Sequence, residues 1–530
     1  MNKLFLIAFS AIFLLTACGG TSTFENGEKS NDENNKRPIV KDVLINGKSA
    51  NYLVGDTLLT NYSYSDEDGD KEGKTTFRWF REGVEISGLN TSSYTLEKGD
   101  THKKIQVEIT PYAITGKLKG DPVLADISIN QVIEYQDMRD AFDEHVAYFE
   151  TRIRQSLQKD SDGYSDTYVL YDMQTYLQNA AIYADEKGDK EILERLLELV
   201  VIPFDPQYLT NGKWLNNSNN LVGKEVILPL SQYFSLLTRV LSASERHGID
   251  VDFSDTNIEI VNAHINDWLS KEPWRGRVAD THLYFVQSTI QFYDFLIKKG
   301  KATNDFVAWK QYVQDYLTLN IAPKWEVETC SYNEKSHDCW LLDRTGFANH
   351  PSYAYAGYGK EFTKTNSDTD PYAMFDANGD VKQPKKPLSK VAMDISHGRR
   401  LNWFFESIKR FGQPFDVSIN QEALEGWANN LALRVSQGTL EEPYFTIFSD
   451  GVDGWYRAGY IGRKGFGYAP GDMDIHFVGS SYGFFGVYNQ KVYDWMEAWV
   501  EVNGVAGYSG AYKLNYLTSI LIDITQDIKK

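Results

Sequence analysis

Polar and apolar positions follow a period of two in the N-terminal part of the chain. Between residues 37 and 130, short alternating runs such as Lys104 to Ile109 are separated by turns rich in Gly, Asp and Asn, a pattern typical of β-strands. In another of these runs, Phe77 and Trp79 fall on the same face. The pattern predicts an all-β module over residues 37–130.

From residue 131 to residue 530 the apolar positions recur at helical spacing, and the predicted helices come in pairs. Residue identity between the pairs is not visible, so the repeat is one of architecture. Several helices open with a polar cluster, which begins at Tyr171, Asp280, Asp394 or His476. If the pairs close into a ring, these clusters meet at one mouth. The predicted pairs are Tyr168 to Ala184 with Lys190 to Val201, Val226 to His247 with Thr256 to Ser270, His282 to Lys299 with Asp305 to Leu319, Ser396 to Phe411 with Gln421 to Ser436, and Ser480 to Val502 with Gly510 to Gln526.

The first eighteen residues have the pattern of an export signal. A positive charge at Lys3 precedes an apolar run that ends at Leu14 and is too short to span a bilayer as a helix. The ending Leu-Thr-Ala-Cys resembles the bacterial lipobox, which implies acylation of Cys18; an ordinary secretory signal is the alternative. We therefore expect a signal peptide at 1–17, a flexible tether at 18–36, and a lipid anchor in the bacterial outer membrane, facing the periplasm or the surface.

Export also determines how the remaining cysteines are interpreted. With Cys18 acylated, Cys330 and Cys339 form an even pair in an oxidising compartment. Their spacing, without neighbouring His or Cys at ligand spacing, does not favour zinc. We therefore expect a disulfide that closes a short loop.

Composition and charge narrow the classes of function. The chain has 54 Lys and Arg against 73 Asp and Glu, and 14% of its residues are aromatic. The resulting charge of −19 argues against nucleic acid as a partner. Aromatic side chains on a polar protein favour flat, amphipathic ligands such as sugars. The acidic run Asp66 to Glu72 is a possible calcium site, with a solvated turn as the alternative; we expect no other cofactor.

Two resemblances follow from these patterns. Residues 37–130, with a core Trp79 on a central strand, resemble the bacterial immunoglobulin-like modules of secreted carbohydrate-processing proteins. Residues 131–530 resemble the (α/α) toroid carbohydrate-active enzymes, which include polysaccharide lyases and glycoside hydrolases. The expected fold class is therefore multidomain, with a small all-β sandwich followed by a mainly α toroid of helical hairpins that carries the catalytic site.

A loop that begins at Arg344 carries the most specific resemblance. Asn349-His350-Pro351-Ser352-Tyr353 is similar to the Asn-His-Ser-Tyr run of alginate-lyase-like toroid enzymes, from which it departs by the inserted proline. The resemblance implies β-elimination from a uronate, which requires neutralisation of a carboxylate and transfer of a proton. The candidate neutralising residues are Arg344, Asn349 and His350, and the candidate bases or acids are Tyr353, Tyr355 and Tyr358.

A second patch lies at the start of the predicted helix 396–411. His397 and Arg400 share a face of that helix, and Asp394 is placed to orient the imidazole. We expect Arg400 rather than Arg399 to point toward the cavity, and we count His397 and Arg400 as catalytic. Further substrate-binding candidates are Arg275, Arg277, His282, Trp340, Arg399, Trp403, His476 and Tyr482.

These patches favour a polysaccharide lyase that acts on an acidic, uronate-containing polysaccharide, as a monomer that contacts the membrane only through its lipid. One alternative is a glycoside hydrolase with two opposed carboxylates, drawn from Asp280, Asp394, Asp472 and Asp474. The other is a surface lipoprotein that binds glycans without catalysis. A protease is not favoured: His-Glu-x-x-His is absent, and the segment Gly479 to Gly483, which fits Gly-x-Ser-x-Gly, has no predicted strand before it.

Overall fold

The computed structural model describes a defined part of the chain. The predicted signal peptide and the tether up to residue 34 lie outside it. The described residues are 35–46, 51–218, 221–270, 280–301, 303–342, 357–359, 363–367, 369, 373–380, 391–456, 468–504 and 510–525.

The N-terminal part is rich in strands, and the remainder is mainly helical with short strands between helices. The strands are β1 (Ile39–Asn46), β2 (Asn51–Leu53), β3 (Thr57–Ser65), β4 (Thr76–Arg81), β5 (Val84–Glu85), β6 (Ser93–Thr95), β7 (Lys104–Thr110), β8 (Val123–Ser128), β9 (Gln131–Ile133), β10 (Trp325–Tyr332), β11 (Lys335–Leu342), β12 (Gly357–Tyr358), β13 (Thr363–Asn366), β14 (Ala373–Phe375), β15 (Ser436–Gly438), β16 (Pro443–Phe445) and β17 (Gly454–Trp455).

The structure gives bounds for twelve α-helices, and none of them is both long and apolar enough to cross a membrane. They are α1 (Tyr135–Ser156), α2 (Tyr168–Lys187), α3 (Lys190–Val201), α4 (Ile227–Arg246), α5 (Asp255–Ser270), α6 (Asp280–Lys298), α7 (Phe306–Tyr316), α8 (Ile395–Phe411), α9 (Gln421–Asn430), α10 (Asp474–Val478), α11 (Lys491–Asn503) and α12 (Gly510–Leu521).

Most predicted helices are confirmed, with differences at three places. The expected helix from Ser480 to Val502 is instead a 3₁₀ helix, Tyr482–Val487, followed by α11. The one expected to reach Ser436 becomes a π-helix after Asn430, and the one expected to reach Gln526 ends at Leu521. Within the 3₁₀ helix, a Cβ atom at Gly486 would lie 2.2 Å from the ring of Tyr493, so this position requires glycine.

Contacts divide the chain into two compact units. In the smaller unit, Asp66 accepts hydrogen bonds from the backbone amides of Asp68 and Asp70, as in a tight acidic turn. The larger unit contains every helix together with β2 and most of β4 and β7. Its residue ranges are Leu44–Asn61, Phe77–Glu108 and Leu124–Lys530, and those of the smaller unit are Met1–Val43, Tyr62–Thr76 and Ile109–Val123.

The strand-rich part of the larger unit is tied to its helical part. Trp79 on β4 is fully buried and stacks on Tyr94, with ring centroids 5.5 Å apart. Strand β2 pairs in parallel with β9, which leads directly into α1. His102 lies 3.2 Å from a carboxylate oxygen of Glu497 on α11. Contacts inside this unit therefore run across the predicted boundary at residue 130.

The core of the helical part is a series of neighbouring helices. Helix α12 packs against α2, α2 against α4, α4 against α6, and α6 against α8; α8 packs against α10, and α10 contacts α12. These helices bury long stretches of their sequence. In α4, for example, every residue from Pro229 to Ser244 is buried. Helices buried on several sides suit the middle of a domain rather than its surface.

A buried ion cluster joins three of these helices. Arg239 of α4 is inaccessible to solvent and donates two hydrogen bonds to one oxygen of Glu406 on α8 and one to the other. The same guanidinium lies 2.9 Å from a carboxylate oxygen of Asp185 on α2. Buried charges are retained only when they are paired in this way, so the cluster fixes α2, α4 and α8 relative to one another.

The expected disulfide is confirmed. Cys330 and Cys339 are bonded, with Cα atoms 5.8 Å apart, and both are buried. They lie on the antiparallel strands β10 and β11, which turn at Asn333 and Glu334. The bond therefore holds together a hairpin that packs against α9.

Candidate active site

The starts of several core helices meet at a cavity of about 180 Å³. The predicted convergence is confirmed for the clusters at Tyr171, Asp394 and His476, whose helices α2, α8 and α10 supply most of the wall. Because helix starts carry a partial positive charge, this arrangement favours an anionic ligand. The cavity is lined by Tyr171, Asp172, Thr175, Tyr176, Ser396, His397, Arg399, Tyr456, Tyr468, Met473, His476 and Tyr512.

Asp394 both starts α8 and orients His397. One carboxylate oxygen accepts hydrogen bonds from the backbone amides of Ser396 and His397, each at 3.1 Å, which is the geometry of a helix cap. The other oxygen lies 2.7 Å from Nδ1 of His397. The hydroxyl of Tyr456 lies 3.0 Å from the same nitrogen. The imidazole at the cavity wall is thus held by two partners, as sequence analysis predicts for Asp394.

Tyr171 is the tyrosine whose ionisation is most strongly favoured at the cavity. Arg400 donates a hydrogen bond of 2.8 Å to its hydroxyl. Burial by itself raises the pKa of Tyr171, but the positive charges of Arg400, Arg399 and His397 outweigh burial and lower this pKa from 10 to about 7. A tyrosine of this kind is a phenolate in a large fraction of molecules at neutral pH and can act as a base.

Arg399 contributes a buried positive charge to the cavity wall. Its guanidinium lies over the ring of Trp403, 5.9 Å from the centroid, and Nη1 lies 3.5 Å from Nδ1 of His476. Burial lowers the pKa of Arg399, but the phenol groups around it, including that of Tyr171, more than offset this effect and raise it. Within the described residues, no carboxylate forms an ion pair with Arg399, and its Nε–H has no acceptor.

Thr175 adds another donor without a partner. It lies one helical turn after Tyr171 on α2, on the same face. Its side-chain oxygen is buried and has no hydrogen-bond partner among the described residues. Buried polar groups without partners are costly unless a ligand or water binds them. Both side chains line the cavity, so the charge of Arg399 makes this wall suited to a carboxylate.

Carboxylates are scarce in the described wall of the cavity. Asp172 lines it and pairs with Arg152 at 2.7 Å; burial raises the pKa of Asp172 despite that partner. Asp474 accepts hydrogen bonds from the amide of Phe445 and the indole of Trp499, and burial raises its pKa to about 7. It is not part of the described wall, so it does not face Asp172 across this cavity.

The other carboxylates considered for hydrolysis do not form a pair there either. Asp394 uses both oxygens to cap α8 and orient His397. Asp472 accepts a hydrogen bond from the amide of Ala469 in its own turn. The side chain of Asp280 lies outside the described residues.

The structure corrects the expectation for the two arginines of α8. Both are buried, Arg399 with 5% and Arg400 with 3% of its surface exposed. Arg399 lines the cavity. Arg400 does not, but it donates a hydrogen bond to Tyr171, which does. The expectation that Arg400 rather than Arg399 faces the cavity is therefore wrong. Because α8 is buried on nearly all sides, helical periodicity alone does not show which of its residues faces the cavity.

Three predicted substrate-binding residues are buried and have structural partners. Trp403 is fully buried and donates its indole N–H to Asn179. The hydroxyl of Tyr482 donates to the carbonyl of Ile395 at 2.6 Å. Nδ1 of His282 is hydrogen-bonded to a tyrosine hydroxyl at 2.6 Å, and burial lowers the pKa of this imidazole to about 4. None of the three is among the described residues that line the Tyr171 cavity.

The remaining predicted residues have different placements. Trp340 lies at another cavity, which shares no lining residue with the Tyr171 cavity. The backbone of Tyr358 pairs with Gly454, two residues before Tyr456, so the end of the first patch adjoins the strand that leads to the cavity. The predicted residues outside the described part are Cys18, Arg275, Arg277, Arg344, Asn349, His350, Tyr353 and Tyr355.

Sequence reasoning missed Tyr171, although it noted the polar cluster that begins there. The available signal was the spacing of Tyr171 and Thr175, which places two hydroxyls on one face at a helix start. Tyr456 and Tyr468 also line the cavity, and their backbones pair with each other. Their positions depend on loop packing that no local pattern indicates.

Comparisons with known proteins give little guidance. No family model matches the chain, and no curated protein is significantly similar to it. Among solved structures, a beta-1,2-glucanase from Parabacteroides distasonis aligns at 10% sequence identity over 92% of this chain and 69% of that chain, with a TM-score of 0.26. A TM-score this low establishes neither a shared fold nor a shared activity.

Proposed function

We propose that the protein is a polysaccharide lyase that cleaves a uronate-containing polysaccharide by β-elimination. The observation that carries this proposal is the pairing of a readily ionised Tyr171 with a buried Arg399 that has no carboxylate partner among the described residues. The first supplies a base, and the second supplies a counter-charge for a substrate carboxylate.

The cavity side chains account for each step of the reaction. The substrate carboxylate binds beside Arg399, whose positive charge stabilises the negative charge that develops when the neighbouring C5–H bond breaks. The Tyr171 phenolate takes that proton. The electron pair forms the C4–C5 double bond, and the C4–O bond breaks. The protonated Tyr171, or the imidazole of His397 or His476, returns a proton to the departing oxygen.

The proposed fold and location agree with this chemistry. The series of helix contacts from α12 through α2, α4, α6, α8 and α10 supports an (α/α) toroid, and the buried Trp79 supports an immunoglobulin-like module before it. The lipobox-like sequence that ends at Cys18 supports a lipid anchor in the cell envelope, where the enzyme would meet polysaccharide.

Incubation with a panel of uronate polysaccharides tests the proposal, with the ultraviolet absorbance of the unsaturated product as the readout. We expect absorbance to rise with at least one polymer and Tyr171→Phe to abolish the increase. Tyr176→Phe is the matched control, because Tyr176 also lines the cavity but burial raises its pKa. Equal loss in both variants, or no product from any uronate polymer, would refute the assignment.

Asp172 gives a specific reason to retain a second candidate, a glycoside hydrolase. A cavity carboxyl whose pKa is raised by burial has the property required of a general acid. Reducing ends released without ultraviolet absorbance, and lost in Asp172→Asn but not in Tyr171→Phe, would establish hydrolysis in place of elimination.

A further inference from the structure

A second cavity, of about 300 Å³, lies between the disulfide-bonded hairpin β10–β11 and the start of α9. Two indoles, Trp325 and Trp340, form part of its wall, together with Ser418, Asn420 and aliphatic side chains. Among the described residues that line it, none is charged. In this respect it differs from the Tyr171 cavity, whose wall carries an arginine.

The two indoles are held in fixed positions. Trp325 stacks on Phe405 with ring centroids 5.6 Å apart, and the rings of Trp325 and Trp340 meet edge to face with centroids 5.8 Å apart. Trp340 also lies directly on the backbone of α9, since a Cβ atom at Gly426 would come within 1.9 Å of its ring. The indoles therefore form a rigid surface that loses little conformational entropy on binding.

These indoles also retain hydrogen-bonding capacity. Within the described residues, neither Trp325 nor Trp340 donates its ring N–H to a protein acceptor, and both are only half-buried. Nearby Trp427, by contrast, is fully buried and donates to Asn402 at 3.1 Å. The wall thus combines apolar ring surface with free donors and with polar groups on Ser418 and Asn420.

We propose that the Trp325–Trp340 cavity is an accessory site for an uncharged sugar unit of a polysaccharide. A pyranose has an apolar C–H surface that packs on an indole and a rim of hydroxyls that accept and donate hydrogen bonds, which matches this wall. The described lining carries no charge and therefore suits a neutral unit, whereas Arg399 makes the Tyr171 cavity suited to an anionic one. The proposal rests on the proposed function only in taking a carbohydrate as the ligand.

Isothermal titration calorimetry on the full chain with Tyr171→Phe tests the site without turnover. The probes are cellotetraose and laminaritetraose, with tetragalacturonate as the charged comparison. Trp340→Ala removes one indole, and Ser418→Tyr fills the cavity from an exposed position. The matched control is Trp495→Ala, because Trp495 is a half-buried tryptophan on α11 that does not line this cavity. Circular dichroism verifies that each variant is folded.

We expect at least one neutral tetrasaccharide to bind, and both cavity variants to weaken its binding by about tenfold or more, as for other buried aromatic anchors. Trp495→Ala should leave that binding unchanged, and neither cavity variant should alter the binding of tetragalacturonate. Absence of neutral binding, or neutral binding that Ser418→Tyr leaves intact, would overturn the proposal. A failure of the lyase assignment would appear separately, as missing unsaturated product, because this test measures binding alone.

Discussion

Replacement of Arg400 by Gln should move the pH dependence of catalysis toward alkaline pH. The pKa of Tyr171 is about 7 instead of 10, and three units correspond to about 4 kcal/mol in favour of the phenolate. Arg400 makes the largest favourable contribution to this shift and also donates a hydrogen bond of 2.8 Å to the Tyr171 hydroxyl. Loss of this charge therefore raises the pKa.

The size of the effect follows from the ionised fraction. A base must be deprotonated, so activity rises as pH increases through the pKa of Tyr171. At pH 7 about half of the wild-type molecules carry the phenolate; if the pKa rises by one unit, the fraction falls to about one tenth. We expect kcat/KM of Arg400→Gln to fall about fivefold or more at pH 7 and to recover at higher pH.

Two measurements would expose an error in this reasoning. Initial rates across pH give the midpoint, and an ultraviolet difference titration of wild type against Tyr171→Phe gives the phenolate directly. Arg152→Gln is the control, because Arg152 lies near the cavity in an ion pair with Asp172 but is not among the principal influences on Tyr171. An unchanged midpoint in Arg400→Gln, or an equal shift in the control, would refute the assigned role of Arg400.

Three further predictions concern stability, and each is measured by chemical denaturation. Cys330→Ser with Cys339→Ser should lower the free energy of unfolding by about 2–3 kcal/mol, because the bond closes a loop with a sequence separation of 9; no change on reduction of the wild type would contradict this. Glu406→Gln should cost about 3–5 kcal/mol, since it leaves the buried charge of Arg239 partly uncompensated; a loss below 1 kcal/mol would show that the cluster relaxes. Asp394→Ala removes the cap of α8 and should cost about 1–2 kcal/mol, with Asp394→Asn as the variant expected to retain most of the stability.

Local patterns predicted most helices because an amphipathic period survives burial on one side. They did not predict α1 or the hairpin β10–β11. They also extended one helix through Gly483 and Gly486, where the structure has a 3₁₀ helix. The candidate site was harder to predict. Tyr171 and Arg400 are 229 positions apart, and nothing in either segment indicates that they touch.

The double role of Asp394 links local folding to the geometry of the site. Its carboxylate accepts the amide protons of Ser396 and His397 and also holds the His397 ring. If the first turn of α8 frays, the imidazole loses one of its two partners at the same moment, so the proposed activity should be lost before the protein unfolds globally. Hydrogen exchange at these two amides would then report how often the catalytic arrangement opens in the native protein.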